Sequence, residues 1–89
     1  VKILVWSKTD IECQQCRITK HQLKKQRIPH EVLMLADHPD KVSEFKDRQL
    51  FAAPVVQVLA DGGAELDIWC GLRLEKLDKL ARDYHGAAV

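Results

Sequence analysis

Cys13 and Cys16, in the stretch IECQQC, are the residues whose type and spacing most directly suggest chemistry. Two thiols three positions apart can be half of a metal site, or a dithiol that opens and closes as a disulfide. A structural zinc usually takes four ligands. Here no second Cys-x-x-Cys and no His-x-His follows, His21, His30, His38 and His85 are scattered singly, and Cys70 stands alone. Scattered ligands can still converge in space, so a small metal-binding or interaction module remains a rival. Two helical cysteines can also be small buried hydrophobes and nothing more. Placement favours the redox reading. The pair follows the apolar run VKILVW and opens a helix expected from about Cys13 to Arg27. Unpaired N–H groups and the helix dipole stabilise an anion at such a start, which lowers the pKa of the Cys13 thiol and raises its reactivity. Cys16, one turn later on the same face, can attack a mixed disulfide formed at Cys13.

The elements that must position this pair follow from periodicity and punctuation. Val1 to Trp6 reads as a buried strand, and Ser7 to Glu12 as a loop. The first helix rests on helix formers such as Gln14, Gln15, Lys20 and Leu23 and on the break at Pro29. Lys24, Lys25 and Arg27 near its end complement the dipole from solvent. Glu31 to Leu35 predicts a second buried strand. Asp37-His38-Pro39-Asp40 starts a second helix, whose core face carries Val42, Phe45 and Gln49-Leu50. Val55 to Leu59 and Glu65 to Trp69 flank the turn signal Asp61-Gly62-Gly63 and predict a hairpin. Leu74, Leu77, Leu80, Ala81 and Tyr84 fall at helical spacing, and the last residues, 86–89, are expected to fray. The order is βαβαββα. The two apolar strands joined by the first helix, Val1 to Trp6 and Glu31 to Leu35, should run parallel through a right-handed crossover, and the final hairpin must be antiparallel within itself, giving a mixed four-stranded sheet with helices on both faces.

The whole chain agrees with this. Its 89 residues suit one small domain, over 1–85, and 46% hydrophobic residues suit a compact core. With 14 basic against 13 acidic residues, no strong field points to nucleic acid or membrane. No apolar stretch approaches membrane-spanning length and no signal-peptide pattern precedes the first strand, so a cytoplasmic monomer is expected. Three cysteines do not make a secreted disulfide scaffold.

At this point the sequence resembles the thioredoxin fold in its glutaredoxin form, and within that the NrdH redoxins. CQQC is similar to the family's Cys-(Val/Met)-Gln-Cys, AAPVV (52–56) to a stretch shared widely in thioredoxin-like proteins, and WCGLR (69–73) to the family's Trp-Ser-Gly-Phe-Arg. The resemblance spans nearly the whole chain. It departs at Gln14, at the loop Thr9 to Glu12, at Arg27 in place of a helix-ending glycine, at Cys70 in place of serine, and at the Asp61 to Asp67 hairpin. It implies a dithiol-disulfide oxidoreductase that gives electrons to the large subunit of a class Ib ribonucleotide reductase and is re-reduced by thioredoxin reductase. It needs no bound cofactor, since the two sulfurs carry the electrons.

The resemblance also implies that Pro54 is cis and faces the dithiol, leaving the backbone of Ala53 to pair with an extended substrate segment. By itself Pro54 reads as a strand-start proline. Trp69 can be an ordinary core aromatic, but its place before Cys70-Gly71 favours a role in the surface around the dithiol. Gly71 allows a tight strand-to-helix turn. The resemblance suggests that Arg73 holds that turn by hydrogen bonds. Lys8 is either solvated or favours the thiolate electrostatically. Cys70 reads as an inert small residue, with a third redox thiol as the alternative. A glutathione-dependent glutaredoxin is the enzymatic rival. Leu72 and Arg73, where glutathione-using relatives tend to carry Gly-Gly and acids, argue against it.

Overall fold

Lys2–Ser7 forms β1, shifted by one residue from the expected run, in a computed structural model that describes residues 1–85. The tail at 86–89 lies outside the described residues. After β1 come α1 (Gln14–Lys25), β2 (Glu31–Met34), a 3-10 turn (Leu35–Asp37), α2 (Pro39–Asp47), β3 (Val55–Leu59), β4 (Glu65–Cys70) and α3 (Leu74–His85). This is the expected order. The sheet runs β2-β1-β3-β4, with β2 parallel to β1 and the other neighbours antiparallel.

The two-residue period of β1 explains how the sheet is covered. Ile3 and Val5 point to one face, where they meet Val56, Val58 and Trp69 of the sheet, Leu23 of α1, and Leu77 and Leu80 of α3. Leu4 and Trp6 point to the other, where they meet Val55 and Phe45 of α2. Because β1 is central and covered on both faces, its sequence is apolar throughout rather than alternating. The chain leaves β1 at Ser7 and enters α1 at Gln14 through a short loop, so the start of α1 lies near the end of β1.

β2 corrects an expectation. Its apolar residues predict a buried strand, yet it is an edge strand with Val32 40% exposed and none of its residues fully buried. An apolar run reports a preference for burial; only the order of strands decides which run gets two covered faces.

Both internal helices stop without glycine. After α1, Arg27 takes a left-handed conformation (φ 57°), with its N–H donating to the Lys24 carbonyl and that of Ile28 to the Leu23 carbonyl at 2.9 Å. Gln49 does the same after α2 (φ 63°), with the Leu50 N–H on the Phe45 carbonyl at 2.8 Å. These are Schellman endings, and the apolar pairs Leu23/Ile28 and Phe45/Leu50 that accompany them are packed into the two cores. Gln49 and Leu50, expected on the helix face, therefore lie just past its end. Leu50 still faces the core, because the motif folds the chain back.

At the far end of the sheet the expected turn forms at Asp61-Gly62-Gly63, where the Gly63 N–H donates to the Ala60 carbonyl at 2.8 Å and Gly63 has φ 97°. The register slips between Val58 and Leu59, so that β4 bulges there.

Candidate functional site

Cys13 is the N-cap of α1, in extended conformation (φ −140°, ψ 96°), with the helix beginning at Gln14. Its N–H donates to the Thr9 carbonyl at 3.0 Å, and its Sγ accepts the backbone N–H of Cys16 at 3.1 Å. A helix-start donor aimed at sulfur favours the thiolate over the thiol. Cys13 and Cys16 form a disulfide with Cα atoms 5.2 Å apart, inside the usual range of about 4.4–6.8 Å. The pair can therefore join and part without moving the backbone far. Cys13 retains 9% exposure and Cys16 none. Cys13 is less open than its helix-start position suggests, but it is the sulfur a partner can reach.

Facing the pair is the bend before β3. The Ala53–Pro54 bond is cis, Pro54 is buried, and the Ala53 carbonyl oxygen lies 3.6 Å from Cys13 Sγ. A reduced Cys13 could donate its S–H to that oxygen. Ala53 precedes the first paired residue of β3, so its backbone stands outside the strand ladder. Ala53 also shares a cleft with Glu12, Cys13, Gln14, Gln15 and Ile18.

The β4–α3 turn forms one side of the site. Gly71 has φ 77°, and its N–H donates to the Pro54 carbonyl at 2.8 Å. Gln15, between the two cysteines, accepts the Leu72 N–H at 2.8 Å on its Oε1. A Cβ at residue 71 would sit 3.1 Å from that same oxygen. The dithiol segment and the turn are thus tied by one amide. Sequence reasoning missed this use of Gln15; its only signal was a polar side chain held between two helix-start cysteines. Arg73, expected to hold the turn, instead pairs its guanidinium with Glu75, while its carbonyl accepts the N–H groups of Lys76 and Leu77. The guanidinium holds the Glu75 carboxyl below its ordinary range. An acid does follow this edge, therefore, but it is committed to Arg73.

Trp69 lies beneath the surface. It is 4% exposed within the core that holds Leu77 and Leu80, with the Lys76 ammonium over its ring at 5.7 Å. Burial leaves almost no ring for a partner to touch, so the core-aromatic reading describes its position. Cys70 points to the opposite face, half-buried against the core of Leu4, Trp6, Phe45 and Val55. Lys8 is exposed and lines a groove with Lys46, Leu50, Phe51, Ala52 and Ala53. The loop before Cys13 is braced by Thr9, whose Oγ1 accepts the Glu12 N–H and donates to the Glu12 carboxylate, and by an Asp10–Lys20 ion pair. Among the described residues no group of three or more His, Cys, Asp or Glu side chains could hold a metal ion. None of the described helices is long and apolar enough to cross a membrane.

The sequence matches no protein-family profile and no curated protein. Solved structures do match. The glutaredoxin-like protein NrdH-redoxin from Escherichia coli, described as having a thioredoxin-like activity profile, is similar at 21% identity and a TM-score of 0.75, over 90% of this chain and 95% of that one. A mutant of the thioredoxin-like protein BC3987 is similar at 26% identity and a TM-score of 0.64, over 89% and 92%. Plasmodium falciparum thioredoxin follows at 14% and 0.55, over 94% and 85%. The fold is thioredoxin-like, and with a Cys-x-x-Cys pair at the start of its first helix it supports thiol–disulfide chemistry in general.

Proposed function

We propose that this chain is a redoxin of the NrdH type, a cytoplasmic monomer over residues 1–85 that reduces protein disulfides with the Cys13–Cys16 dithiol. The observation that carries this is the asymmetry of the pair: Cys13 Sγ accepts the Cys16 N–H at 3.1 Å and keeps 9% exposure, while Cys16 is sealed. The Cys13 thiolate attacks one sulfur of the substrate disulfide and expels the other as a thiolate, leaving a mixed disulfide. The Cys16 thiolate then attacks Cys13 Sγ and expels the second substrate thiolate. Two electrons pass to the substrate, protons from solvent complete its thiols, and the chain is left oxidised. The Ala53 backbone, free of the sheet beside Cys13, suits pairing with an extended substrate segment.

The acceptor suggested by the resemblance is the large subunit of a class Ib ribonucleotide reductase, and the electron source is thioredoxin reductase. Two features support that source over glutathione. The Leu72 N–H and the Glu75 carboxylate, groups that could grip a small charged peptide, are occupied by Gln15 and Arg73. A coupled NADPH-oxidation assay tests the reading: thioredoxin reductase should sustain turnover, and millimolar glutathione with glutathione reductase should do so poorly. Efficient turnover with glutathione would overturn the choice of donor and favour a glutaredoxin.

A further inference from the structure

Beside the dithiol cleft, and sharing Ala53 with it, runs a second depression floored by Phe45 and Leu50 and rimmed by Lys8, Lys46 and Phe51. Phe51 is 74% exposed, unusual for a phenylalanine on a chain with only two. The depression holds about 180 Å³, close to the roughly 150 Å³ that admits a benzene ring. That is room for one aromatic or branched side chain. Its charged lining is Lys8 and Lys46, with no acid, and neither lysine is in an ion pair among the described residues.

Resting on the redox reading above, we infer that this groove selects the protein substrate: it seats one bulky apolar side chain next to the target cysteine, with acidic residues flanking that side chain against Lys8 and Lys46. Three features converge on that occupant. The shared Ala53 makes the groove the continuation of the path a substrate segment takes past Cys13. The volume suits one side chain, and the two lysines, in no ion pair among the described residues, set the sign of its neighbours.

The test uses synthetic peptides carrying one cysteine capped by mercaptoethanol, next to Phe-Glu-Glu, Phe-Lys-Lys or Gly-Glu-Glu, and hydroxyethyl disulfide as a probe of the dithiol alone. The reduced wild-type chain should reduce the Phe-Glu-Glu peptide about tenfold faster than the Phe-Lys-Lys peptide at low salt, two exposed charge contacts of roughly threefold each. The ratio should shrink as salt rises. Within the Lys46→Glu variant the ratio should fall several-fold, and within Phe51→Ala the advantage of Phe-Glu-Glu over Gly-Glu-Glu should disappear. Equal wild-type rates for the three peptides, or an unchanged ratio in Lys46→Glu, would overturn the groove while leaving the dithiol chemistry intact. Glutathione disulfide reduced faster than every peptide would overturn it in favour of a small-peptide carboxylate site. Failure of the wild-type chain to reduce hydroxyethyl disulfide would overturn the redox reading itself, and the groove with it.

Discussion

The two sides of the dithiol are built differently. On the α3 side, Gly71 is bonded to the Pro54 carbonyl, Leu72 to Gln15, and Arg73 to Glu75. On the α2 side, Leu50 to Ala53 present a mostly exposed Phe51 in a groove shared with Lys8 and Lys46, neither of which is ion-paired among the described residues. One wall satisfies its own polar groups and is finished when the chain folds. The other keeps apolar surface and charge in solvent, which costs stability and makes sense where a partner supplies the cover. In a chain this small, rigidity and recognition are divided between the two lips of one cleft.

The largest effect comes from removing what the walls flank. Cys13→Ser should drop disulfide reduction to the uncatalysed background, and Cys16→Ser should trap a mixed disulfide visible as a mass increase of one substrate thiol. Alkylation of the reduced chain at limiting reagent should label Cys13 first: ahead of Cys16 by 9% exposure against none, and ahead of the more exposed Cys70 because the Cys16 N–H favours the Cys13 thiolate. First labelling at Cys16 or Cys70 would reverse the roles.

Next come the walls themselves. Gly71→Ala forces a side chain into φ 77° and crowds, at 3.1 Å, the Gln15 Oε1 that accepts the Leu72 N–H. It should destabilise by about 1–2 kcal/mol for the left-handed backbone, with a smaller addition from the crowded Gln15 bond. Phe51→Ala on the open wall should leave the denaturation midpoint within about 0.5 kcal/mol of wild type. Similar losses for both variants would erase the distinction between a finished and an open wall.

A smaller effect isolates the amide bridge. Gln15→Ala should cost at most about 1 kcal/mol, because water can reach the Leu72 N–H. In a double-mutant cycle with Gly71→Ala the losses should be less than additive, since removing Gln15 also removes the oxygen that a side chain at residue 71 would crowd. Full additivity would mean that Gln15 does not tie the turn.

The smallest effect concerns how α2, the floor of the open wall, is fastened. Arg48 at its end makes a two-pronged pair with Glu65 on β4, and this bond, with one from Gln57, lowers the Glu65 carboxyl to about 2. The folded value lies below the ordinary 4.5, so the contribution is present above that pH and is lost as pH falls towards 2. Being on the surface, it amounts to less than about 1 kcal/mol. Acid titration of stability for wild type and Glu65→Gln should converge near pH 2 and separate above about 4.5; a constant gap across that range would rule the pair out.

Read from sequence alone, the strand run in β1, the Asp61-Gly62-Gly63 turn and the placement of Cys13 and Cys16 at a helix start were all legible. Each rests on neighbours within a few residues, where backbone geometry converts residue type directly into structure. The element order βαβαββα follows for the same reason. Tertiary structure decided what local pattern cannot carry. It put β2 at the edge of the sheet although its apolar residues resemble those of a central strand. It turned Trp69 inward, let Arg27 and Gln49 end helices where glycine is the usual choice, and spent Arg73 on Glu75. It also joined Gln15 to Leu72 across 57 residues. Contacts so far apart in the chain depend on how strands are ordered and loops are docked, and the period of any one element reports only which side of that element prefers to be dry.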